Sequence, residues 1–258
     1  MTLSIAEISG LVGVYFWPFV RISAMLMAAP IFGAKNILFV VHRLALALIL
    51  TVVAQPYISH IPAVEPFSFA GMLMFVEQML IGLVIGFMLQ LAFSSLIIAG
   101  NSVALTMGLG FASFLDPATG VSVPIVSKFY LVIGTLLFFA MDGHLVAIKI
   151  LVESFSLVSV TQSGVSVNEI FGVVLWGGKM YVGALLIALP CMVTITLINI
   201  GFGVMTRSAP QMNIFAVGFP TTLAAGVIII MLTLPNLLPR FTDLVMDSFN
   251  TIQTILKT

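Results

Sequence analysis

The sequence predicts an all-α membrane protein with about six long hydrophobic helices arranged as broken helical hairpins. Three observations carry this expectation. Apolar residues make up 61% of the 258-residue chain and charged residues 7%, where a soluble domain holds about 45–50% and about 25%. The apolar residues gather in six runs, at about 8–34, 37–55, 67–101, 125–151, 170–200 and 213–238, each near or above the roughly 20 residues that a spanning helix needs. The breaks between runs are short, and none is long enough to hold a soluble core. The chain therefore reads as one membrane-embedded domain over residues 1–258.

The first run lacks a positive leading segment, carries Glu7 in its place, and is too long for the apolar part of a cleaved signal. It is expected to stay on the mature protein. It contains Arg21 and closes on Pro30, Phe32 and Gly33. The second run ends at "QPYISHIPAVEP", whose three prolines mark a loop.

The third run is too long for one simple span, because at 1.5 Å per residue it far exceeds a hydrocarbon core of about 30 Å. Tilting, breaking, or rising out of the bilayer within a protein shell would each accommodate it. Gly82 and Gly86 form a GxxxG pair there, and Gly100, Ala104 and Gly108 repeat the spacing. Such rows let helix backbones approach closely. After them comes "TMGLGFASFLDPATG", apolar yet glycine-rich and closed by Asp116-Pro117. Irregular backbone at membrane depth is tolerated inside protein, so this stretch reads as a pore-filling loop or as a re-entrant turn.

The fourth run ends near "MDGH", where Asp142 and His144 flank Gly143. That is either a proton relay or a helix break at a membrane surface. "SVTQSGVSVNE" is the next loop, and Ser166 or Asn168 is a candidate cap for the fifth run. Pro190 can kink or break that run. Between the fifth and sixth runs lies "RSAPQMNIFAVGFP". Its prolines free backbone groups, which the Gln211 and Asn213 amides can bond. Arg207 can fork onto a carboxylate or onto helix-end carbonyls. The stretch reads as a polar joint between two helical hairpins.

Several function classes fall away. A net charge of zero and no basic stripe argue against nucleic acid. The lone Cys191 allows neither an internal disulfide nor a cysteine-based metal site. No HExxH, GxSxG, Walker A or GxGxxG pattern occurs, so no catalytic residue, cofactor or metal is expected. Arg21, Arg43, Glu77, Lys128, Lys179 and Arg207 sit within or beside apolar runs. A charge at the centre of an isolated spanning helix costs about 2.5–3.5 kcal/mol. These residues therefore line a pathway, pair arginine to glutamate internally, are buried against partners, or near the run ends snorkel to the interface. Positive charge shows almost no bias to one side of the membrane, which points to placement by partners.

"RSAPQMNIFAVGFP" resembles the C-terminal signature of the FliR family of flagellar type III export gate proteins, whose cousins are the virulence-secretion SctT proteins. "FWPFVRISAMLMAAPIFG", "DGH" and "PCMVTITLINIG" follow that family's pattern in the same order, over nearly the whole chain. The second run lacks the early proline that family members often carry. The resemblance implies a chain similar to a fusion of the companion FliP and FliQ subunits, FliP-like to about residue 210 and FliQ-like beyond. It implies a closed pore shared with several FliP-like and FliQ-like subunits, with a FlhB-like subunit outside. Through that pore unfolded rod, hook and filament proteins would cross the bacterial inner membrane within the flagellar basal body, with the hairpins held largely inside the assembly and raised toward the periplasm. The loop near residues 106–120 would then be the pore plug, with Met107, Leu109, Phe111, Phe114 and Leu115 as fill and Gly108 and Gly110 as hinges. Arg21, Pro30, Phe32, Gly33, Glu77, Gly82, Gly86, Arg207, Pro210, Gln211, Asn213 and Phe215 are the candidate structural or subunit-contact residues. A secondary transporter of a small solute, with helices broken at Pro190 and Pro210, is the competing reading.

Overall fold

A computed structural model of the chain describes residues 5–30, 37–58, 64, 68–109, 125–158, 167–208 and 214–257. Seven α-helices occupy them: α1 (Ile5–Ala28), α2 (Ile37–Ala54), α3 (Phe69–Thr106), α4 (Ile125–Ala140), α5 (Gly143–Leu157), α6 (Val167–Ser208) and α7 (Ile214–Lys257). A 3-10 turn, Gln55–Tyr57, follows α2 with Pro56 inside it. No strand occurs among the described residues, as expected where an unpaired sheet edge would face hydrocarbon. α3, α6 and α7 are each long and apolar enough to cross a membrane, and α4 with α5 adds a fourth crossing if the broken pair counts as one.

Two boundaries differ from the apolar runs for local reasons. The run 125–151 is divided, because Asp142 takes a left-handed backbone with φ 56°. Its carbonyl then accepts the Leu145 and Val146 amides at 2.9 and 3.2 Å and starts α5. Asp is among the few residues that adopt this conformation at modest cost. By contrast, Pro190 does not end α6, nor do Pro220, Pro235 and Pro239 end α7. A proline removes a single helix hydrogen bond, and membrane helices tolerate that loss where neighbouring groups re-bond the carbonyl. The helices run on into charged sequence that the apolar runs exclude, to Arg207 and Lys257.

The chain forms two compact units. The first comprises residues 1–91, 142–177 and 245–258, and the second residues 92–141 and 178–244. In the first, α1 lies against the early part of α3. Phe16 stacks on Phe75, with centroids 6.3 Å apart. A Cβ at Gly82 would meet the Arg21 carbonyl and come 2.9 Å from Ala24 Cβ, and one at Gly86 would come 2.6 Å from the Met25 carbonyl oxygen. Partners on both helices rise together in number, so the two run parallel. Trp176 of α6 is 2% exposed, and its indole N–H donates to Asp247 Oδ2 of α7 at 2.8 Å.

In the second unit, late α3 runs antiparallel to α4. Ser127 Oγ donates to the Ile97 carbonyl at 3.0 Å, and a Cβ at Gly100 would come 2.5 Å from Ser127 Cα. Farther along, Phe93 meets Phe138 and Phe241 edge-on, with centroids 5.4 and 5.3 Å apart, the arrangement that ring quadrupoles favour. α6 and α7 form an antiparallel hairpin. Gly183 faces Leu244, and the Cys191 sulfur lies 3.1 Å from Thr233 Oγ1. Cys191 is thus a buried thiol among polar hydroxyls, 3.9 Å from Tyr130 Oη on its other side.

Candidate functional site

Among the described residues, Arg21 is the most deeply buried charge. It is fully buried on α1, yet no carboxylate among the described residues pairs with it. Its Nε donates to Gln78 Oε1 of α3 at 2.8 Å. One terminal nitrogen donates to the Ser154 carbonyl at 2.9 Å and to Ser154 Oγ at 3.1 Å, and the other to the Val158 carbonyl at 3.1 Å. The guanidinium carbon lies 4.2 Å from the Phe155 ring centroid, within cation–π range. Ser154 lies in the last turn of α5 and Val158 caps it, where helix carbonyls carry the negative end of the dipole; the Ser154 carbonyl also accepts the Val158 amide at 2.9 Å. The arginine therefore finds partial negative charge from a helix end, a side-chain amide and an aromatic face. The internal Arg–Glu pairing that the sequence allowed is replaced: Glu77 is half-buried, and its neighbour Gln78 provides the acceptor.

The glycine pair on α3 makes this geometry possible. Gly82 packs directly on the Arg21 backbone, so any side chain there would push α1 away and draw the guanidinium off its acceptors. Arg21, Gln78, Gly82 and Gly86 thus form one unit, which ties α1 and α3 to the end of α5.

At its far end, α3 closes with a defined cap. The Leu109 amide donates to the Ala104 carbonyl and the Gly108 amide to the Leu105 carbonyl, both at 3.0 Å. Gly108 has φ 83°. This pair of bonds about a left-handed glycine is the Schellman arrangement. Gly108 therefore ends the helix, whereas the four-residue spacing from Gly100 would place it on a helix face. Just before it, Met107 is 2% exposed. A Cβ at Gly226 of α7 would come 2.5 Å from Met107 Cε and 2.9 Å from its sulfur, so the absence of a side chain at Gly226 makes room for the methionine. Leu109 is half-buried. Gly110, Phe111, Phe114 and Leu115 lie outside the described residues.

The other candidates are placed as follows. Pro30 is half-buried just beyond α1, while Phe32 and Gly33 lie outside the described residues. Arg207 is exposed in the last turn of α6, where a cation complements the helix dipole. Pro210, Gln211 and Asn213 lie outside the described residues, and Phe215 falls in the first turn of α7. Asp142 is exposed and His144 half-buried at the α4–α5 break. Lys128 is exposed on α4 and Lys179 on α6. No group of three or more metal-ligating side chains occurs among the described residues. Sequence reasoning passed over Gln78 and Ser154. The available signal was a lone amide or hydroxyl facing inward within an apolar helix.

Much apolar surface is left uncovered by the chain itself. In the most apolar stretch of α3, 56% of residues are buried, but in those of α6 and α7 only 28%. Leu175, Val182, Leu197 and Val204 on α6 are each about 60% exposed, and Met231 and Leu232 on α7 about 70%. Cβ atoms added at Gly172, Gly177, Gly178, Gly201 and Gly203 of α6 would meet nothing within 4 Å. These surfaces must be covered by lipid or by other protein.

Known proteins fit this picture. The family described as Bacterial export proteins, family 1, matches residues 12–248. A protein named flagellar biosynthetic protein FliR from Pectobacterium carotovorum subsp. carotovorum is 35% identical over 242 residues, 94% of this chain and 92% of that protein. One of the same name from Escherichia coli (strain K12) is 33% identical over 244 residues, covering 94% and 92%. Another from Bacillus subtilis (strain 168) is 27% identical over 216 residues, covering 83% of each.

Proposed function

The chain belongs to the bacterial export proteins, family 1, the family of the flagellar biosynthetic protein FliR, and from that premise we propose that it is a pore-forming structural subunit of the flagellar type III protein export gate. Unfolded rod, hook and filament subunits pass through the pore it shares with FliP-like and FliQ-like companions, and a FlhB-like subunit packs outside. The assembly belongs to the basal body in the bacterial inner membrane. The chain is FliP-like to about residue 210 and FliQ-like toward the C-terminus.

The observation that carries this reading is the uncovered apolar length of α6 and α7. The helices have 42 and 44 residues, about 63 and 66 Å at 1.5 Å per residue. The charge-free stretches, residues 180–206 and 214–239, are about 40 Å long, close to a whole bilayer, but exposed apolar side chains continue beyond them at Phe171, Val174 and Leu175, where companion helices rather than lipid account for the cover. Arg21 supports the same reading from the opposite side. Its donors are spent on a fixed neutral cage, as suits a structural part rather than a transport site.

In this reading Met107, Gly108, Leu109, Gly110, Phe111, Phe114 and Leu115 form the pore plug, anchored at its base by the Gly108 cap and the Met107 seat. Deleting residues 110–115 is expected to raise ion conductance through the assembled gate in planar bilayers. Conductance equal to that of the unmodified gate would remove the plug from the account. Gln211→Ala with Asn213→Ala is expected to lower the yield of assembled complex. Normal yield with lost export would contradict a joint at that stretch.

A further inference from the structure

The α6–α7 hairpin contains a cleft of about 410 Å³, lined by Leu186 and Pro190 of α6 and by Thr233, Asn236, Arg240 and Asp243 of α7. Asn236, Arg240 and Asp243 recur at intervals of four and three residues, so they share one face of the helix. All three are exposed. Arg240 and Asp243 are spaced for an i, i+3 ion pair, yet neither has an ion-pair partner among the described residues. Thr233 is part of the wall only, because its hydroxyl donates to the Ile229 carbonyl at 2.8 Å. Pro190 has no N–H for the Leu186 carbonyl, nor has Pro239, which also lines the cleft, for the Pro235 carbonyl. The concavity thus offers a cation, an anion and an amide, beside helix carbonyls short of a donor.

The cleft opens beside an apolar stripe. On α6, Val182, Leu186, Leu189, Val193 and Leu197 are each 40% or more exposed. They recur at intervals of three or four residues, which places them on one side of the helix. Leu186 belongs to both the stripe and the cleft, so a partner lying along the stripe also covers the cleft. Covering it encloses Arg240 and Asp243. A charge enclosed by protein without a counter-charge is strongly unfavourable, so such a partner must bring both signs.

We infer that the cleft docks a helix of a companion subunit that carries a carboxylate and a basic side chain one turn apart. The carboxylate meets the Arg240 guanidinium, whose fork of N–H groups matches it. The basic side chain meets Asp243, and its remaining N–H groups suit the carbonyls that Pro190 and Pro239 leave open. The apolar side of the same helix lies along the α6 stripe. This rests on the gate reading, which supplies the companions, and adds where one of them docks and which charges it brings. A helix without charges would leave both side chains unpaired, and one with charges of a single sign would repel one of the two.

In the test, wild-type and variant chains of distinguishable mass are co-expressed with a limiting supply of FliP-like and FliQ-like companions. Native mass spectrometry reads the ratio incorporated into the assembled complex. Loss of one member of an enclosed charge pair weakens association by about 30-fold. Arg240→Gln and Asp243→Asn should therefore each be incorporated about 30-fold less than wild type, and Arg240→Lys close to it. The double variant Arg240→Asp with Asp243→Arg keeps the i, i+3 pair and the net charge, but presents them to the companion in reversed order. It should compete at least as poorly as the single variants. These side chains are exposed, so each chain alone in detergent should keep wild-type helicity and elution volume. Carbodiimide treatment of the complex holding Arg240→Lys should join that amine to a companion carboxylate with a Lys or Arg three or four residues away. Wild-type incorporation of the double variant, or a complex in which the amine joins only Asp243 of its own chain or no carboxylate at all, would overturn the inference and leave the gate standing. So would labelling of residues 236–243 by a photoactivatable phospholipid in the assembled complex. If no complex with the companions forms, the gate reading fails and the inference falls with it.

Discussion

Replacing Arg21 with methionine removes a buried charge and keeps most of the side-chain volume. The guanidinium makes four hydrogen bonds, to Gln78 Oε1, the Ser154 carbonyl and hydroxyl, and the Val158 carbonyl. Bonds to a charged group contribute about 1.5–3 kcal/mol each, a gross loss of roughly 6–12 kcal/mol. Part of this is offset, because a methionine need not be stripped of water as a guanidinium must. What remains is chiefly the cost of the Gln78 Oε1 and Val158 carbonyl losing their donor, since the Ser154 carbonyl keeps the Val158 amide, and breaking a buried charged network in this way costs about 3–5 kcal/mol. In thermal unfolding of the detergent-solubilised chain, that corresponds to a fall in Tm on the order of 10 °C. Gln78→Leu is the informative companion. It removes one acceptor, but also a buried amide nitrogen that has no partner among the described residues, so its loss should be only about 1–2 kcal/mol. A Tm for Arg21→Met within 2 °C of wild type would refute the cage as a stabilising element. So would equal losses in the two variants.

The glycines separate into two classes that the same assay distinguishes. Gly82→Ala places a methyl group against the Arg21 carbonyl, which is rigid helix backbone, and should cost about 1–3 kcal/mol. Gly177→Ala meets no atom within 4 Å and should stabilise the solubilised chain by about 0.5–1 kcal/mol through helix propensity. The reverse order would contradict the α1–α3 packing. Trp176→Phe loses the 2.8 Å bond to the Asp247 carboxylate and should cost about 1.5–3 kcal/mol. A Tm equal to wild type would show that this bond contributes nothing.

Much of the helical layout was legible in the sequence, because an apolar run in lipid has few options beyond a helix. Gly82 and Gly86 announced close packing by spacing alone. The helix ends were harder to read. α6 and α7 continue past the apolar runs since tertiary packing, as at Trp176 and Asp247, holds charged sequence in helix. The break at Asp142 depends on one backbone dihedral, which the run 125–151 hides within continuous hydropathy. The cage around Arg21 was not legible, because its acceptors lie 57, 133 and 137 positions away and are neutral. A search for a compensating charge points to Glu77, one residue from the true acceptor. Gly226 was missed for a similar reason. It is one glycine among many in an apolar helix until Met107 is seen to occupy the space above it.

The gate itself is tested most directly by native mass spectrometry of this chain co-expressed with FliP-like and FliQ-like companions from the same genome. The account predicts one heavy species containing this chain together with several copies of both companions. A stable assembly of this chain with itself that leaves both companions unbound would contradict it.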